Sequence, residues 1–460
     1  MALRLYNSLT RTKDDFAPAA APKVSLYTCG PTVYNYQHVG NYRTYVFEDV
    51  LVRTLALLGF APHRVMNITD VGHLTSQGDE GEDKMEVGAA REGKSAWDIA
   101  KFYTDAFLND CKELKLLPAD VLCKATDHIP EQIVLIQKLE AKGFVYKTAD
   151  GLYFDTAKLP DYGKLMTKEH LEGLKSGARV EANAEKRHIT DFALWKFSPA
   201  GTKRQMEWES PWGKGFPGWH IECSAMAMRF LGETLDIHCG GIDHVPVHHT
   251  NEIAQSEGAT GKPFAKVWMH AEFLLMNNAK MAKSSGGFVK LSDLKAQGFS
   301  PLDYKYHCLT AHYRKQLDFT WESLEGSKTA RRRLKDAAAA VAGAGAKPNC
   351  AEFSARFKAA LADDLNAPSA LAVVWDALKS DLPDGAKKAF LDEAESVFAL
   401  GLFDAEAVEA VPAGVLAMVE QRTQAKARKD FSEADRLRKE IEAAGFKVLD
   451  GKDGSKAVKK

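Results

Sequence analysis

What the sequence lacks closes several routes. It has no run of about 18 consecutive apolar residues, so no membrane span is expected. The N-terminus, Met1 to Asp15, has no apolar h-region and no small-residue cleavage site, so no secretion signal is read there. No CxxC pair occurs. The seven cysteines (29, 111, 123, 223, 239, 308 and 350) are odd in number and widely spaced. That argues against a disulfide framework and for a reducing compartment, with the cytoplasm as the expected location. Neither sign of charge dominates: the formal net charge is −1. A nucleic-acid partner must therefore be met by local basic patches. No internal repeat is evident.

What is present is a chain of 460 residues, 45% apolar, enough for a large core and about three compact units. Lys23–Cys29 reads as a buried strand that Gly30 and Pro31 break. From Asn41 to Leu58 apolar residues recur at helical spacing, and Gly59 stands where a glycine ends a helix. His63–Thr69 reads as the next strand. This strand–helix–strand order signals a βαβ unit on a parallel sheet. The pattern resumes with a strand at Leu235–Cys239, a helix at His248–Glu257 and a strand at Val267–Leu275. Between Leu117 and Trp212 the pattern is irregular, lysine-rich and broken by glycine, and reads as an insertion. After Pro301 the strands are expected to stop and charged helices to follow. The alanine-rich stretch 337–348 reads as a linker or a helix end. A last helix is marked by a capping box of Ser432 with Asp435 and is ended by Gly445.

Three groups of residues carry chemistry. The first runs from Gly30 through Thr32, His38 and Gly40 to Asn41, between the first strand and the first helix. A glycine there admits a ligand close to the backbone, and the helix start offers free N–H groups to phosphate. The second is Lys280-Met281-Ala282-Lys283-Ser284-Ser285-Gly286, a cationic loop suited to charge that builds on phosphates. Taken singly, an ordinary turn and a solvated basic loop are the better readings. The third is Cys29, Cys223, His248 and Glu252. The last two are four apart, on one face of the expected helix. Two thiolates, an imidazole and a carboxylate suit zinc. From spacing alone, two core cysteines and a helix pair remain the simpler reading.

Together, HVGN (38–41) and KMAKS (280–284) in a βα framework resemble the HIGH and KMSKS signatures of class I aminoacyl-tRNA synthetases. Asn41 replaces the last histidine, and Ala282 the first serine of the loop, while both lysines remain. YTCGPTVY (27–34), GWHIECSAM (218–226) and HHTNEIAQSE (248–257) narrow the resemblance to cysteinyl-tRNA synthetases. Thr250 departs from a glutamate found in many members, at a position that is not a ligand. Further similarity lies at Trp268-Met269-His270, at Asp363-Asp364-Leu365-Asn366, and between Arg428 and Arg438, so the likeness runs from about Leu5 to Asp450.

The resemblance implies an α/β fold. A Rossmann-like parallel-sheet catalytic domain would be split into 1–116 and 213–300 by a connective insertion at 117–212. An all-helical C-terminal region would follow, with a stem-contact domain at 301–400 and a small anticodon-binding domain at 401–460. It implies ATP with Mg2+, cysteine and tRNA-Cys as substrates, and one zinc per chain on Cys29, Cys223, His248 and Glu252. His38, Lys280 and Lys283 would serve the phosphates, and Gly30, Thr32, Gly40, Asn41, Gly240, Gly241 and Asp243 would approach the nucleotide. Cys29, Gly30, Thr69, Trp219, His238 and His270 would build or flank the amino-acid pocket.

Cysteine and serine are nearly isosteric, and an apolar pocket separates such a pair by only about 1–3 kcal/mol. Zinc favours thiolate, so a substrate thiolate on the metal would supply the selectivity without an editing domain. Arg331-Arg332-Arg333 and the region 422–439 offer charge for tRNA phosphates. No long amphipathic stretch stands out as a partner helix, so a monomer is expected. The alternatives are a cysteine ligase forming an amide with an amino sugar, of the mycothiol-pathway type, a non-catalytic paralogue, and a plain nucleotidyltransferase. The C-terminal segment favours the tRNA ligase over the first, and the intact His38, Lys283 and zinc ligands argue against the second.

Overall fold

The apolar segments of the first half become the centre of a parallel sheet because both of their faces are covered. The computed structural model describes residues 2–72, 83–167, 185–198, 201, 204–276, 279–280, 288–345, 350–404, 412–451 and 454–459. Five strands make the sheet: β1 (Lys23–Thr28), β2 (Ala61–Ile68), β3 (Val121–Lys124), β4 (Leu235–Gly241) and β5 (Ala265–Ala271). Their spatial order is β5-β4-β1-β2-β3, all parallel. Leu26 pairs with Ile237 on one side and Arg64 on the other. β4 is buried along its whole length. Chain order reverses between β1 and β4, which makes the crevice beyond their carboxyl ends the natural ligand site of such a sheet.

Helix α1 (Val39–Leu57) joins β1 to β2. It starts at His38, whose Nδ1 accepts from the Asn41 N–H at 3.1 Å, while Asn41 Oδ1 accepts from the His38 N–H at 3.1 Å. The HVGN string is thus a reciprocal cap. The helix ends as read: Gly59 takes a φ of 88° and its N–H reaches Ala56 O. Helix α2 (Ala96–Glu113) precedes β3, α3 (Trp219–Leu231) precedes β4, and α4 (Thr250–Thr260) lies between β4 and β5.

The inserted region builds its own antiparallel sheet from 145–147, 151–154, 192–197 and 215–217. Its core joins Phe154, Phe192 and Trp195 to Ile221 and Ala225 of α3 and Ala254 of α4. The parallel sheet runs past residue 116 through β3, and the antiparallel sheet runs past 212 to Pro217.

Helices follow at 301–309, 321–341, 351–362, 367–379 and 384–398. The alanines from 337 begin as the end of the 321–341 helix. Strands do not stop at Pro301, however. Leu317–Phe319 pairs in parallel with Leu274–Met276, which in turn pairs with Ala279–Lys280. Residues 403–460 form a separate unit of two helices, 413–427 and 431–443, completed by a hairpin of Phe446–Gly451 and Gly454–Lys459. Its core is Val415, Val419, Ile441, Phe446 and Val448. The last helix is capped by Asp430, which accepts from the Glu433 N–H at 3.1 Å, and not by Ser432. An aspartate carries the stronger acceptor, and Ser432 donates its hydroxyl to it at 2.9 Å. No helix among the described residues is long and apolar enough to cross a membrane.

Candidate active site and metal cluster

Four side chains from distant segments meet at the crevice. Cys29 follows the last residue of β1, its N–H held by Cys239 O of β4 at 3.1 Å. Cys223 lies in α3, His248 in a π-turn (Val245–His249) that leads into α4, and Glu252 in α4. One donor atom of each lies within 4.8 Å of all the others, and all four residues are buried. Local sequence explains the approach. A Cβ on Gly218, which opens α3, would stand 2.1 Å from Ala193 O, so only glycine lets the helix start against the inserted sheet.

The cluster is strongly charged for its burial. Glu252 receives an imidazole on each oxygen: His248 Nε2 at 2.9 Å on Oε1 and His238 Nε2 at 2.8 Å on Oε2. Burial works to raise its pKa, yet these two histidines hold it well below the usual carboxylate range. Burial opposes charge on His248, but Glu252 and Cys223 hold its pKa up at about 10. Burial also works against the Cys223 thiolate, and a hydrogen bond from Cys29 brings its pKa down to about 7. Cys29 is raised, chiefly by burial. Glu252 and the Cys223 thiolate thus place negative charge in a dry site, where a cation is strongly attracted. Cys29 and Glu252 also form a second compact set with His238 and His249.

Around the cluster lies a wall of rings. Trp219 stacks on His248 with centroids 4.3 Å apart, and His238 stacks on Trp268 at 4.5 Å. His270 Nε2 is 2.8 Å from His249 Nδ1, and its Nδ1 is 2.7 Å from Ser8 Oγ. A Cβ on Gly240 would lie 2.6 Å from His244 Nδ1 and 2.8 Å from His249 Cε1, so this glycine makes room for imidazoles.

Beside the cluster a cavity of ≈ 210 Å³ is lined by Cys29, Cys223, His248, Thr69 and Trp219, together with Gly30, Thr32, Asn41, Gly241 and Asp243. Gly30 is required here: a Cβ would fall 1.7 Å from Asn67 O. Its N–H donates to Asn67 Oδ1 at 2.8 Å, and Thr32 bridges to Thr69.

Six expected site residues stand outside the lining. His38 and Gly40 form the turn that caps α1, and the His38 ring meets Phe288 edge-on at 5.5 Å. Gly240, His238, His270 and Glu252 lie behind the cavity, in the cluster and its ring wall. Lys280 is placed by its backbone, paired with Leu275, while Lys283 lies outside the described residues. The cavity also draws in Tyr34, Gln37, Thr44, Tyr45, Asn67 and His244, which the sequence reading did not single out.

Several expected RNA-facing cations are engaged within the protein. Arg331 bonds Asp303 Oδ1 and Leu400 O, both at 2.9 Å. Arg422 and Lys426 bind Asp450 beside the turn of the terminal hairpin, and Arg436 and Arg438 pair with glutamates of their own helix.

Residues 15–329 match the family described as tRNA synthetases class I (C) catalytic domain. The chain is 52% identical to cysteine–tRNA ligase 1 of Burkholderia lata, over 99% of this chain and 97% of that one. It is 43% identical to the cysteine–tRNA ligase of Treponema denticola over the full length of both, and 44% to that of Novosphingobium aromaticivorans, over 98% and 95%. Among solved structures, methionyl-tRNA synthetase of Mycobacterium tuberculosis in complex with methionyl-adenylate shares the fold, with a TM-score of 0.58 at 14% identity over 90% of this chain and 96% of that one. A cavity lined by Cys29, Cys223 and His248, with Glu252 completing their cluster behind it, on a sheet of this order, thus stands in a chain that belongs to the cysteine–tRNA ligase family of class I aminoacyl-tRNA synthetases.

Proposed function

We propose that the chain activates cysteine with ATP in this cavity and transfers it to the 3′ end of tRNA-Cys, with the buried cluster selecting the substrate thiol. The observation that carries the reading is that Cys29, Cys223 and His248, clustered with Glu252, line the same cavity as Gly30, Thr32 and Asn41 of the turn that opens α1. Two sulfurs, one imidazole and one carboxylate fit zinc in donor type and number. Zinc on these four residues supplies, when bound, a soft Lewis acid that prefers thiolate to hydroxyl.

The protein's own groups position the rest. Trp219 and Thr69 bound the space beside the cluster, and His238 and His270 brace Glu252 and His249 behind it. The cysteine carboxylate is already ionised, so it attacks the α-phosphate of ATP without a general base. A new P–O bond forms, the bond to pyrophosphate breaks, and cysteinyl-adenylate results. Catalysis is then positioning and charge stabilisation. The N-terminus of α1 presents N–H groups and its positive dipole end to phosphate. His38 and Asn41 fix that turn, Gly30, Gly40, Gly240 and Gly241 keep the backbone accessible, and Lys280 and Lys283 supply cations, with Mg2+ accompanying the nucleotide. A terminal ribose hydroxyl of tRNA then displaces AMP from the acyl carbon.

We further take the enzyme to act in the cytoplasm as a monomer, with 301–400 serving the acceptor stem and 401–460 the anticodon. The full-length relatives named above give the amide-forming alternative no support. The test is ATP-dependent transfer of labelled cysteine into acid-precipitable tRNA. Label lost on RNase treatment is the expected result. Cysteine-dependent pyrophosphate exchange without any charging would sink the tRNA reading.

A further inference from the structure

The strongest unassigned feature beside the cavity is aromatic and open to solvent. Tyr36 lies between Tyr34 and Gln37, both of which line the cavity, yet its own side chain turns outward and is 37% exposed. Phe102 of α2, 41% exposed, meets it at 6.0 Å, and Tyr103 stands edge-on to it at 5.1 Å. Large apolar rings left in water beside a site are a cost unless something covers them. Cations flank the pair. Lys290 Nζ lies 5.4 Å from the Tyr36 ring and Lys94 Nζ 4.6 Å from that of Phe102. Glu92 beside Lys94 and Asp293 beside Lys290 offset part of that charge. The patch is also tied to the catalytic turn: Val289 O accepts the N–H of Val39, the first residue of α1.

Exposed rings with lysines over them suit unpaired nucleobases, which stack on the π-face while their phosphates meet the cations. A protein side chain would gain less from the paired cations, and the cavity entrance must in any case admit a nucleotide end. We infer that Tyr36 and Phe102 form a stacking platform for the unpaired 3′ bases of tRNA, holding them while the terminal ribose reaches the adenylate. This rests on the reading of the chain as a tRNA-charging enzyme.

The full-length enzyme tests it with two rates measured side by side: cysteine-dependent pyrophosphate exchange, which needs no RNA, and charging of tRNA-Cys. Stacking of one base contributes on the order of a tenfold effect or more. Phe102→Ala and Tyr36→Ala should therefore lower kcat/KM for tRNA by about tenfold or more relative to exchange, and Tyr36→Phe should restore it. A tRNA with 2-aminopurine in place of its terminal adenine should lose fluorescence on binding wild type and keep it on binding Tyr36→Ala. Equal loss of both rates, unchanged charging in both alanine variants, or quenching that persists in Tyr36→Ala would each overturn the platform. A wild type that exchanges pyrophosphate but charges no tRNA would instead overturn the underlying reading.

Discussion

The buried cluster and the half-buried 30–41 turn, the inner and outer ends of the site, are built on opposite plans. The inner end gathers Cys29, Cys223, His248 and Glu252 from four separate segments, buries all of them, and ties the carboxylate to two imidazoles. The outer end is made largely from one continuous stretch, 30–41, whose residues are mostly half-buried and whose backbone carries much of the work. Charges at the inner end act in a low dielectric and are hardly screened, while those at the outer end share the field with water and salt. The contrast says where a single atom matters most.

The sharpest way to break the comparison is Cys29→Ser, which exchanges one sulfur for oxygen at constant shape. A buried charge left without its partner costs about 3–5 kcal/mol. Cysteine-dependent pyrophosphate exchange should fall on the order of 10³-fold, and zinc measured by mass spectrometry should fall below one equivalent per chain. Full activity with a full metal complement in this variant would mean that neither compact set holds the ion through the Cys29 sulfur, which both contain. Dialysis against a chelator should abolish exchange in the wild type, and zinc should restore it.

At the outer end His38 has two jobs that can be separated. It caps α1 and stands at the turn assigned to phosphate. His38→Ala loses both and should lower exchange by about 10²-fold, the usual size for one donor to developing charge, with KM for cysteine little changed. His38→Asn keeps a cap, worth about 1 kcal/mol of helix stability, but not the imidazole. If His38→Asn recovers the melting temperature and not the rate, the phosphate role stands. If it recovers both, His38 acts only through the helix start, and the two ends differ even more than the geometry indicates.

The same contrast decides what could be read without coordinates. The βαβ core was legible because its signals are local: an apolar run, a helical period and Gly59 at a positive φ. The outer end was legible for the same reason, since 30–41 is one string. The inner end was not legible from spacing. Its donors are up to 223 positions apart, and only the family resemblance joined them. Thr44 and Tyr45 were missed because, along α1, a pocket-facing side chain looks like a core one. Asn67 was missed because its role lies in the backbone approach of Gly30, which the sequence marks only as a glycine. The terminal hairpin has its signal in Asp450-Gly451 and Gly454, but its two strands are short and follow directly on a helix, so the expectation of an all-helical C-terminal region passes over them.

Helix α1 also carries Glu48, which tests whether burial alone sets the size of an electrostatic effect. Glu48 is fully buried, as Glu252 is, and its cationic partner is Arg64 Nη2, at 2.8 Å, with a hydrogen bond from Thr28 beside it, where Glu252 has two imidazoles. Burial outweighs that one guanidinium and pushes its pKa up to about 7. A carboxyl raised in this way binds its proton more tightly in the folded chain than in the unfolded one. Its contribution to stability is therefore fully present at the acid end and is lost as pH rises towards 7. Linkage puts the loss between pH 5 and 7 at about 2 kcal/mol. Denaturant titrations of wild type and Glu48→Gln across that range should diverge by about this amount, the wild type losing stability relative to the variant as pH rises. Parallel curves would mean that Arg64 alone compensates the burial. The number of partners would then not be what separates Glu48 from Glu252.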